Sequence, residues 1–297
     1  MTSMSLIDMT RARSRAEERA RAVATMSGVS VRELTEHAEH VEAERLVTGI
    51  WQGEPPISRT LMRMLSSIGG YVAGAFRGAD LVGITVGFVA APDGSAKCHL
   101  HSHIAGIHPQ FRGRNVGWAM KLHQRAWALE HDIETISWTF DPLVRRNAFF
   151  NLTKLGAGAS SYLTDFYGEM TDGINHAQGS DRLWVTWELC SDRAERAAAG
   201  APGEADLLAM ATKGQVVLSV DADGGPAEHA SDGRATVLVC AVPEDIETMR
   251  VQDPGLARTW RGALRRVMTT ALERGSRIEG CVRTGRYLLV HEGGDAS

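Results

Sequence analysis

The spacing of apolar residues changes several times along the chain, and each change predicts a different element. After an arginine-rich N-terminal stretch the spacing is helical, with Leu34, Ala38 and Val41 on one face. Ser30 and Glu33 have the capping-box pattern, so we predict that this helix begins at Ser30. A turn rich in proline and a second helix, RTLMRMLSSIGG, are predicted to follow.

The next apolar runs are typical of strands. YVAGAFRG and LVGITVGFVAA are joined at Gly78 like a hairpin, and KCHLHSHIAGIHP runs up to Pro109. A glycine-containing basic turn leads into a helix with Ala119, His123 and Trp127 on one stripe. The remaining runs predict, in order, the strand IETISWTF, the helix NAFFNLTKLG and two more strands.

The last third of the chain has the pattern of a second α/β unit. Its strands are predicted at GQVVLSV, ATVLVCAVP, RIEGCVR and RYLLVH, and its main helix begins with Asp253 as N-cap and Pro254 at the first position. An Ala- and Gly-rich charged stretch before it is typical of a linker. We therefore predict a helical or frayed N-terminal arm (1–27), a first domain (28–192), a linker (193–206) and a second α/β domain (207–292).

Composition narrows the classes of molecule to which the protein is expected to bind. The 297 residues have a formal net charge of −4, which favours neither a nucleic-acid partner nor a membrane surface. The four cysteines are far apart, which is typical of a reduced compartment. The sequence has no signal-peptide pattern and no apolar run of membrane-spanning length, so we expect a cytoplasmic protein.

The strongest chemical signal is the segment IHPQFRGRNVGW. A strand enters a turn that opens directly into a helix, and free amides at a helix start form a site for phosphate oxygens. Glycines allow close approach of the backbone, and arginines add positive charge where a pyrophosphate would lie. Any strand-to-helix turn can contain Gly and Arg, so the context is part of the evidence. The predicted phosphate-binding residues are Arg112, Gly113, Arg114, Asn115, Val116 and Gly117.

The run R-G-R-N-V-G resembles the acyl-CoA loop Q/R-x-x-G-x-G/A of the GNAT superfamily of N-acetyltransferases. Asn115 stands where the family has its central glycine, and asparagine is the non-glycine residue that best tolerates the left-handed backbone such a loop requires. Further segments, including ISWTFDPLVRRNAFFNLTKLGA, YGEMTDGIN and DPGLARTWRGALRRV, resemble a subgroup of predicted GNAT proteins. The resemblance therefore covers nearly the whole chain after about residue 30.

This resemblance implies a GNAT-like mixed, mostly antiparallel sheet flanked by helices, plus a smaller C-terminal α/β domain. It implies acetyl-CoA or another acyl-CoA as co-substrate, no metal, and a small-molecule amine as acceptor, and it leaves homodimerisation open. Some members of the subgroup are associated with N-acyl amino acid metabolism, including N-succinylation. In the family the strand before the loop separates from its neighbour and binds pantetheine through its backbone, which here implies Ala105, Gly106 and Ile107. Asn147 is implied to lie near CoA.

The strand H-L-H-S-H supplies candidate catalytic groups. Alternation places His99, His101 and His103 on one face and Ser102 on the other. A neutral histidine suits a general base, so we predict His103 as the base and Ser102 as its hydrogen-bonding neighbour. A histidine on a half-buried strand is equally compatible with a purely structural role. Three histidines on one face also leave a zinc site open, although no acidic or Cys ligand completes it.

The other predicted groups follow a later strand. Asp141, Arg146 and Arg182 are candidates for substrate binding, since the arginine fork suits a carboxylate. Equally, Asp141 can cap a helix and the arginines can be solvated or tied to it. Where many GNAT enzymes carry a Tyr that protonates the thiolate, this chain has Leu152. The alternatives are Tyr162, Tyr167 or departure of the thiolate with help from solvent.

The sequence thus predicts direct transfer of an acetyl or succinyl group from acyl-CoA to a primary amine of a small molecule, with an amino acid as one candidate. No acyl-enzyme is expected, since no Ser or Cys lies beside an activating His–carboxylate set. A non-catalytic acyl-CoA-binding sensor or assembly module is the alternative. A zinc hydrolase using the histidine run is a third.

Overall fold

The computed structural model describes residues 6–53, 55–92, 97–168, 179–201, 203–231 and 233–291. Contacts divide the chain into two compact units. The first comprises Met1–Trp138 with Glu188–Ser191, and the second comprises Thr139–Trp187 with Asp192–Ser297. This grouping differs from the division near residue 192 suggested by composition, whose domain boundaries stay a prediction.

The first unit consists of a sheet with helices on both faces. Its elements are α1 (Leu6–Met26), β1 (Ser30–Glu33), α2 (His37–Trp51), α3 (Arg59–Ser67), β2 (Tyr71–Arg77), β3 (Asp80–Ala90), β4 (His99–Ile107), α4 (Val116–Glu130) and β5 (Thr135–Phe140). The strand order is β1-β2-β3-β4-β5. Neighbours from β1 to β4 are antiparallel, whereas β4 and β5 are parallel.

The N-terminal part of this unit corrects the predicted start of the first amphipathic helix. Ser30 does not cap a helix; it begins β1, which pairs with β2 from Ser30↔Phe76 to Glu33↔Ala73. A capping box does form a few residues later, between Glu36 and Glu39, and α2 begins there. The arm predicted as helical or frayed contains the helix α1, which packs along α4 through a buried stripe at Ala12, Ala16, Ala20 and Val23.

One hydrophobic core joins α2 and α3 to the sheet. Leu34, Val47, Met62, Ile84 and Ile104 belong to it and are at most 3% exposed. The apolar face of α2 is therefore fixed against β2, β3 and β4, as its helical period requires. This packing holds β4, the strand that leads to the predicted phosphate-binding turn, from one side.

The second unit also has a mixed sheet. Its elements are α5 (Arg145–Ala148), a π-helical turn (Phe149–Lys154), β6 (Gly158–Leu163), β7 (Arg182–Glu188), α6 (Asp192–Ala198), α7 (Glu204–Lys213), β8 (Gln215–Val220), β9 (Pro226–Glu228), β10 (Val237–Ala241), α8 (Ile246–Gln252), α9 (Pro254–Glu273), β11 (Ser276–Val282) and β12 (Arg286–His291). The strand order is β7-β6-β11-β12-β10-β8-β9. Among the described strand pairs of this unit, β10 and β8 are parallel and the others are antiparallel.

The helix cap and the linker predicted from the sequence of this unit can each be compared with the structure. Asp253 caps α9 as predicted, since its carboxylate accepts a hydrogen bond of 2.9 Å from the amide of Leu256. The stretch 193–206, predicted as a linker, lies largely in α6 and the start of α7. The predicted mixed α/β class with mostly antiparallel strands, together with a further C-terminal region, is confirmed. No helix in the described part of the chain has both the length and the apolar character to cross a bilayer.

Candidate functional site

The edge of β4 is open over half of its length. On one side β4 pairs with β3 from Ala90↔His99 to Gly83↔Ile107. On the other side, the described ladder with β5 contains only Leu100↔Ile136 and His101↔Ser137. Beyond His101, the β4 backbone therefore presents N–H and C=O groups that no neighbouring strand of this ladder uses.

A β-bulge lies where this open edge begins. Ser102 pairs with Gly87 and Ile104 with Val86, so His103 is the extra residue. Ile104 lies in the core beneath α2, and a Cβ at Gly106 would lie 2.8 Å from the Trp51 ring of the same helix. A bulge re-aims side chains, so simple alternation along β4 does not continue past His103.

The turn between β4 and α4 has the backbone that a phosphate cradle needs. Gly113 and Asn115 are left-handed, with φ of 75° and 62°. The prediction that Asn115 tolerates this conformation in place of glycine is confirmed. Among the backbone hydrogen bonds described outside helices and strands, none uses the amide of Gly113 or Arg114, and Val116 and Gly117 are the first residues of α4, where amides lack a carbonyl partner within the helix. They lie at the start of a 15-residue helix, where the helix dipole favours an anion.

Three arginines surround this turn. Arg112 and Arg114 are exposed, and the Arg112 Nε atom donates to the Ile107 carbonyl at 3.4 Å. Arg114 and Arg77 each lie over the Phe111 ring, at 5.8 and 5.7 Å. Arg77 is the last residue of β2, and sequence reasoning missed it because nothing local connects it with a turn more than thirty residues away.

The histidines of β4 have different partners. A ring nitrogen of His101 lies 3.1 Å from the Ser137 hydroxyl, and burial followed by repulsion from His103 lowers its pKa to about 4. Partial burial also lowers the pKa of His103, opposed by a hydrogen bond to the backbone of Pro56. Proline has no N–H, so a His103 ring N–H donates to its carbonyl. Among the described residues, no group of three His, Cys, Asp or Glu side chains has the arrangement of a metal site.

Ser102 points to α4 and contacts a buried lysine that sequence analysis did not single out. Lys121 Nζ donates to the Ser102 hydroxyl at 2.7 Å and to Gln124 Oε1 at 2.9 Å. The ammonium also lies 4.1 Å from the centre of the Trp138 ring. Lys121 is only 4% exposed, and burial lowers its pKa to about 7. The period of α4 predicted which face is buried, but not that a lysine would lie within it.

The predicted substrate-binding groups of the second unit have internal partners. Asp141 is buried and accepts hydrogen bonds from Arg250, from Arg261 at 2.7 Å and from the Leu143 amide at 2.9 Å. Burial opposes ionisation, but the two guanidinium groups outweigh it and hold the Asp141 pKa at about 2. Arg182 donates to the Asp181 carbonyl at 2.9 Å. These contacts favour the structural alternative for Asp141.

The remaining predicted groups are also in the second unit. Arg146 is paired with Glu247, including a bond of 2.8 Å, and Asn147 is half-buried on α5. Leu152 is fully buried in the π-helical turn. Tyr162 donates to Asp181 at 2.7 Å, and burial followed by this carboxylate raises its pKa, which makes it a weak acid.

Roles for Asn147, Arg146 and Arg182 toward a ligand stay predictions. Tyr167 lies 3.1 Å from the Thr139 hydroxyl. Most of the segment YGEMTDGIN, one of those that carry the GNAT resemblance, lies outside the described residues.

Neither a protein-family model nor a curated protein matches this sequence. Solved structures match about half of the chain. An N-acetyltransferase from Staphylococcus aureus Mu50 is 11% identical, with 54% of this chain and 98% of that chain covered and a TM-score of 0.46. The protein yncA from Salmonella typhimurium, solved with its cofactor acetyl-CoA, is 11% identical over 55% and 95% of the two chains, with a TM-score of 0.45. Diaminobutyrate acetyltransferase EctA from Paenibacillus lautus, in complex with L-2,4-diaminobutyric acid and coenzyme A, is 16% identical over 55% and 97%, with a TM-score of 0.41.

Proposed function

We propose that the chain is an acyl-CoA-dependent N-acyltransferase that moves an acetyl or succinyl group to the primary amine of a small molecule, with an amino acid as one candidate acceptor. The observation that carries this proposal is the continuity of two backbone surfaces. The open edge of β4 ends at Ile107, and the turn between β4 and α4 then leads to the amides from Gly113 to Gly117. The first surface suits an extended amide chain, and the second suits a diphosphate.

The dimensions of the two surfaces match the pantetheine arm of CoA. From the phosphate oxygen to the sulfur this arm has about twelve bonds, equal to roughly four residues of extended chain, or about 13 to 14 Å. The open edge from His103 to Ile107 also spans four residue steps, about 13 Å along a strand. With its phosphate end at the Ile107 end of this edge, the pantetheine arm would therefore bring the thioester beside the bulge at His103.

His103 is suited to deprotonate the incoming amine there. Because one ring N–H donates to the Pro56 carbonyl, the other nitrogen of the neutral ring carries the free lone pair. The lowered pKa keeps this ring neutral near physiological pH. We therefore expect activity to fall on acidification only below the ordinary histidine value of 6.5, as the ring becomes protonated.

Binding and turnover can be tested separately. Calorimetry should detect CoA binding to the wild-type chain and weaker binding to Arg112→Ala. Arg19→Ala, which removes an exposed charge from α1, is the matched control and should bind normally. Absence of CoA binding by the wild type would contradict the proposal.

Turnover should be followed as thiol release from acetyl-CoA and succinyl-CoA with pooled amino acids. His103→Ala should lower kcat by about 10²- to 10⁴-fold with little change in CoA affinity, and His99→Ala, on the same strand, is its control. Binding without turnover on any acceptor would favour the sensor alternative, which is supported by the buried Leu152 in place of the usual Tyr.

A further inference from the structure

In the proposed reaction, no residue has so far been assigned as the acid that protonates the leaving sulfur. Lys121 lies in the first unit, which also contains the proposed site. Its ammonium is buried, and among the described residues it contacts a hydroxyl, an amide oxygen and an indole ring, with no carboxylate. A buried charge without a counter-charge is expensive for a fold. Methionine or leucine would fill such a space at lower cost, so the ammonium is a candidate for a chemical role.

The hydroxyl that Lys121 contacts belongs to Ser102, which lies at the point on β4 where the thioester of bound acyl-CoA is proposed to lie. Ser102 comes directly after His101, the last residue of β4 with a partner on β5, and directly before the bulge at His103. An ammonium has donors and no acceptor, so Ser102 must accept from Lys121. The Ser102 proton then remains available for a second acceptor. The Gln124 Nε2 atom is a further buried donor without a partner in the described residues, so this cluster has more donors than acceptors.

We propose that Lys121 and Ser102 form a proton relay to the sulfur of CoA, with Ser102 as the catalytic residue that contacts sulfur and Lys121 as the positioning residue behind it. This inference rests on the proposed acyltransferase function. It assigns the acid step to side chains of the first unit, nineteen positions apart in sequence.

The proposed step balances in atoms and charge. The acceptor nitrogen attacks the thioester carbon, the C–N bond forms, and His103 takes a proton from nitrogen. When the C–S bond breaks, its electron pair stays on sulfur. Ser102 passes its proton to sulfur and receives one from Lys121 Nζ, which gives an amide, a CoA thiol and a neutral lysine. Exchange with solvent then removes the proton from His103 and returns one to Lys121.

The surroundings of Lys121 agree with such a cycle. Burial lowers its pKa to about 7, so both protonation states are accessible near neutrality. Its neighbours are Ser102 on β4, Trp138 on β5 and Gln124 on α4, and the titratable group coupled to it is His101. The other polar contacts of α4 with β1 and β2, through Trp127 and His123, involve Glu33 and Tyr71 and lie away from Lys121.

A test with CoA alone needs no knowledge of the acceptor. The thiolate absorbance of bound CoA is titrated against pH, with the complex of desulfo-CoA as the blank that removes the protein's own thiols. In the wild-type complex, the thiolate and the Lys121 ammonium should stabilise each other, which lowers the pKa of the bound thiol and raises that of Lys121. Lys121→Met should raise this thiol pKa by about 1 or more relative to the wild type. Arg19→Ala is the control and should leave it unchanged.

Turnover gives the second readout. Lys121→Met and Ser102→Ala should each lower kcat by about 10²-fold or more while KM for acyl-CoA stays nearly constant. In the wild type, kcat should decline above about pH 7, as Lys121 loses its proton. Lys121→Arg keeps the positive charge and does not release its proton over this range, so this alkaline decline should disappear. If Lys121→Met does not fold, Ser102→Ala still tests the relay, because it removes the hydroxyl that would pass the proton to sulfur.

The outcomes separate the two proposals. If the wild type does not bind CoA, the acyltransferase proposal fails and the relay fails with it. If CoA binds but its thiol has the same pKa in the wild type, Lys121→Met and Ser102→Ala, the relay alone is overturned. An unchanged alkaline decline in Lys121→Arg would overturn it as well.

Discussion

Replacing Lys121 with methionine should reveal a stability cost that depends on pH. Burial lowers the Lys121 pKa from 10.5 to about 7. A shift of this size corresponds to about 5 kcal/mol of destabilisation at and below pH 7, taken as an upper bound. Methionine has a similar length, carries no charge and therefore avoids this cost.

The direction of the pH dependence follows from the two states. Below about pH 7 the lysine is protonated in both the folded and the unfolded chain, and above about pH 10.5 it is neutral in both. Between these values the unfolded chain binds one more proton, so the stability of the wild type rises with pH by up to about 1.4 kcal/mol per pH unit. The methionine variant lacks this contribution.

The size of the difference at a single pH is less informative. Methionine also removes the hydrogen bonds to Ser102 and Gln124, and each buried acceptor left unpaired costs about 1 to 3 kcal/mol. These losses are similar in size to the gain from removing the charge. The change of the difference with pH is therefore the quantity to measure.

Urea unfolding at pH 7, 8 and 9 is the assay, with Lys213→Met as control because that lysine is exposed. From pH 7 to pH 9 the wild type should gain about 2 to 3 kcal/mol relative to Lys121→Met. Relative to Lys213→Met, its stability should stay constant over the same range. A pH-independent difference between the wild type and Lys121→Met would refute the claim that Lys121 is buried with a lowered pKa.

Three further predictions follow from the same structure. Asn115→Val should weaken CoA binding by about 5- to 30-fold in calorimetry, because a left-handed backbone costs a β-branched residue about 1 to 2 kcal/mol. Asn115→Gly should bind CoA like the wild type, and equal binding by the two variants would contradict this prediction. Asp141→Asn should lower the free energy of unfolding by about 3 to 5 kcal/mol in urea titrations, since Arg250 and Arg261 lose their shared carboxylate; an unchanged midpoint would count against it. Burial lowers the pKa of His123 to about 4, so up to about 3 kcal/mol of the free energy of unfolding should be lost as pH falls from 6.5 towards 4. In acid unfolding curves, His123→Gln should reduce this pH-dependent loss.

Signals that act over a few residues were readable from the sequence. The turn after β4 needs left-handed residues at fixed positions, and Gly113 and Asn115 supply them without help from distant parts of the chain. The cap of α9 at Asp253 is equally local, since donor and acceptor are three residues apart. These features were predicted because the residues that decide them are neighbours in sequence.

Where a local signal competed with pairing over a distance, the tertiary structure decided. The pattern at Ser30 and Glu33 is a valid capping box, yet those residues form β1 because they pair with β2, some forty positions later. A ladder fixes a whole segment and aligns one face with the core, which outweighs the one or two hydrogen bonds of a cap. Glu36 and Glu39 then cap the helix instead.

Local sequence patterns were enough to predict the conformation of the turn after β4, the histidines of β4 and the order of most strands. Three features depended on long-range packing: β4 separates from β5 after His101, a bulge falls at His103, and Lys121 lies buried against Ser102. The tertiary structure also decided that Asp141 pairs with Arg250 and Arg261, more than a hundred residues away in sequence. Burial and charge pairing depend on which surfaces meet in the folded chain, and the periodicity of one segment contains no information about the segment it will meet.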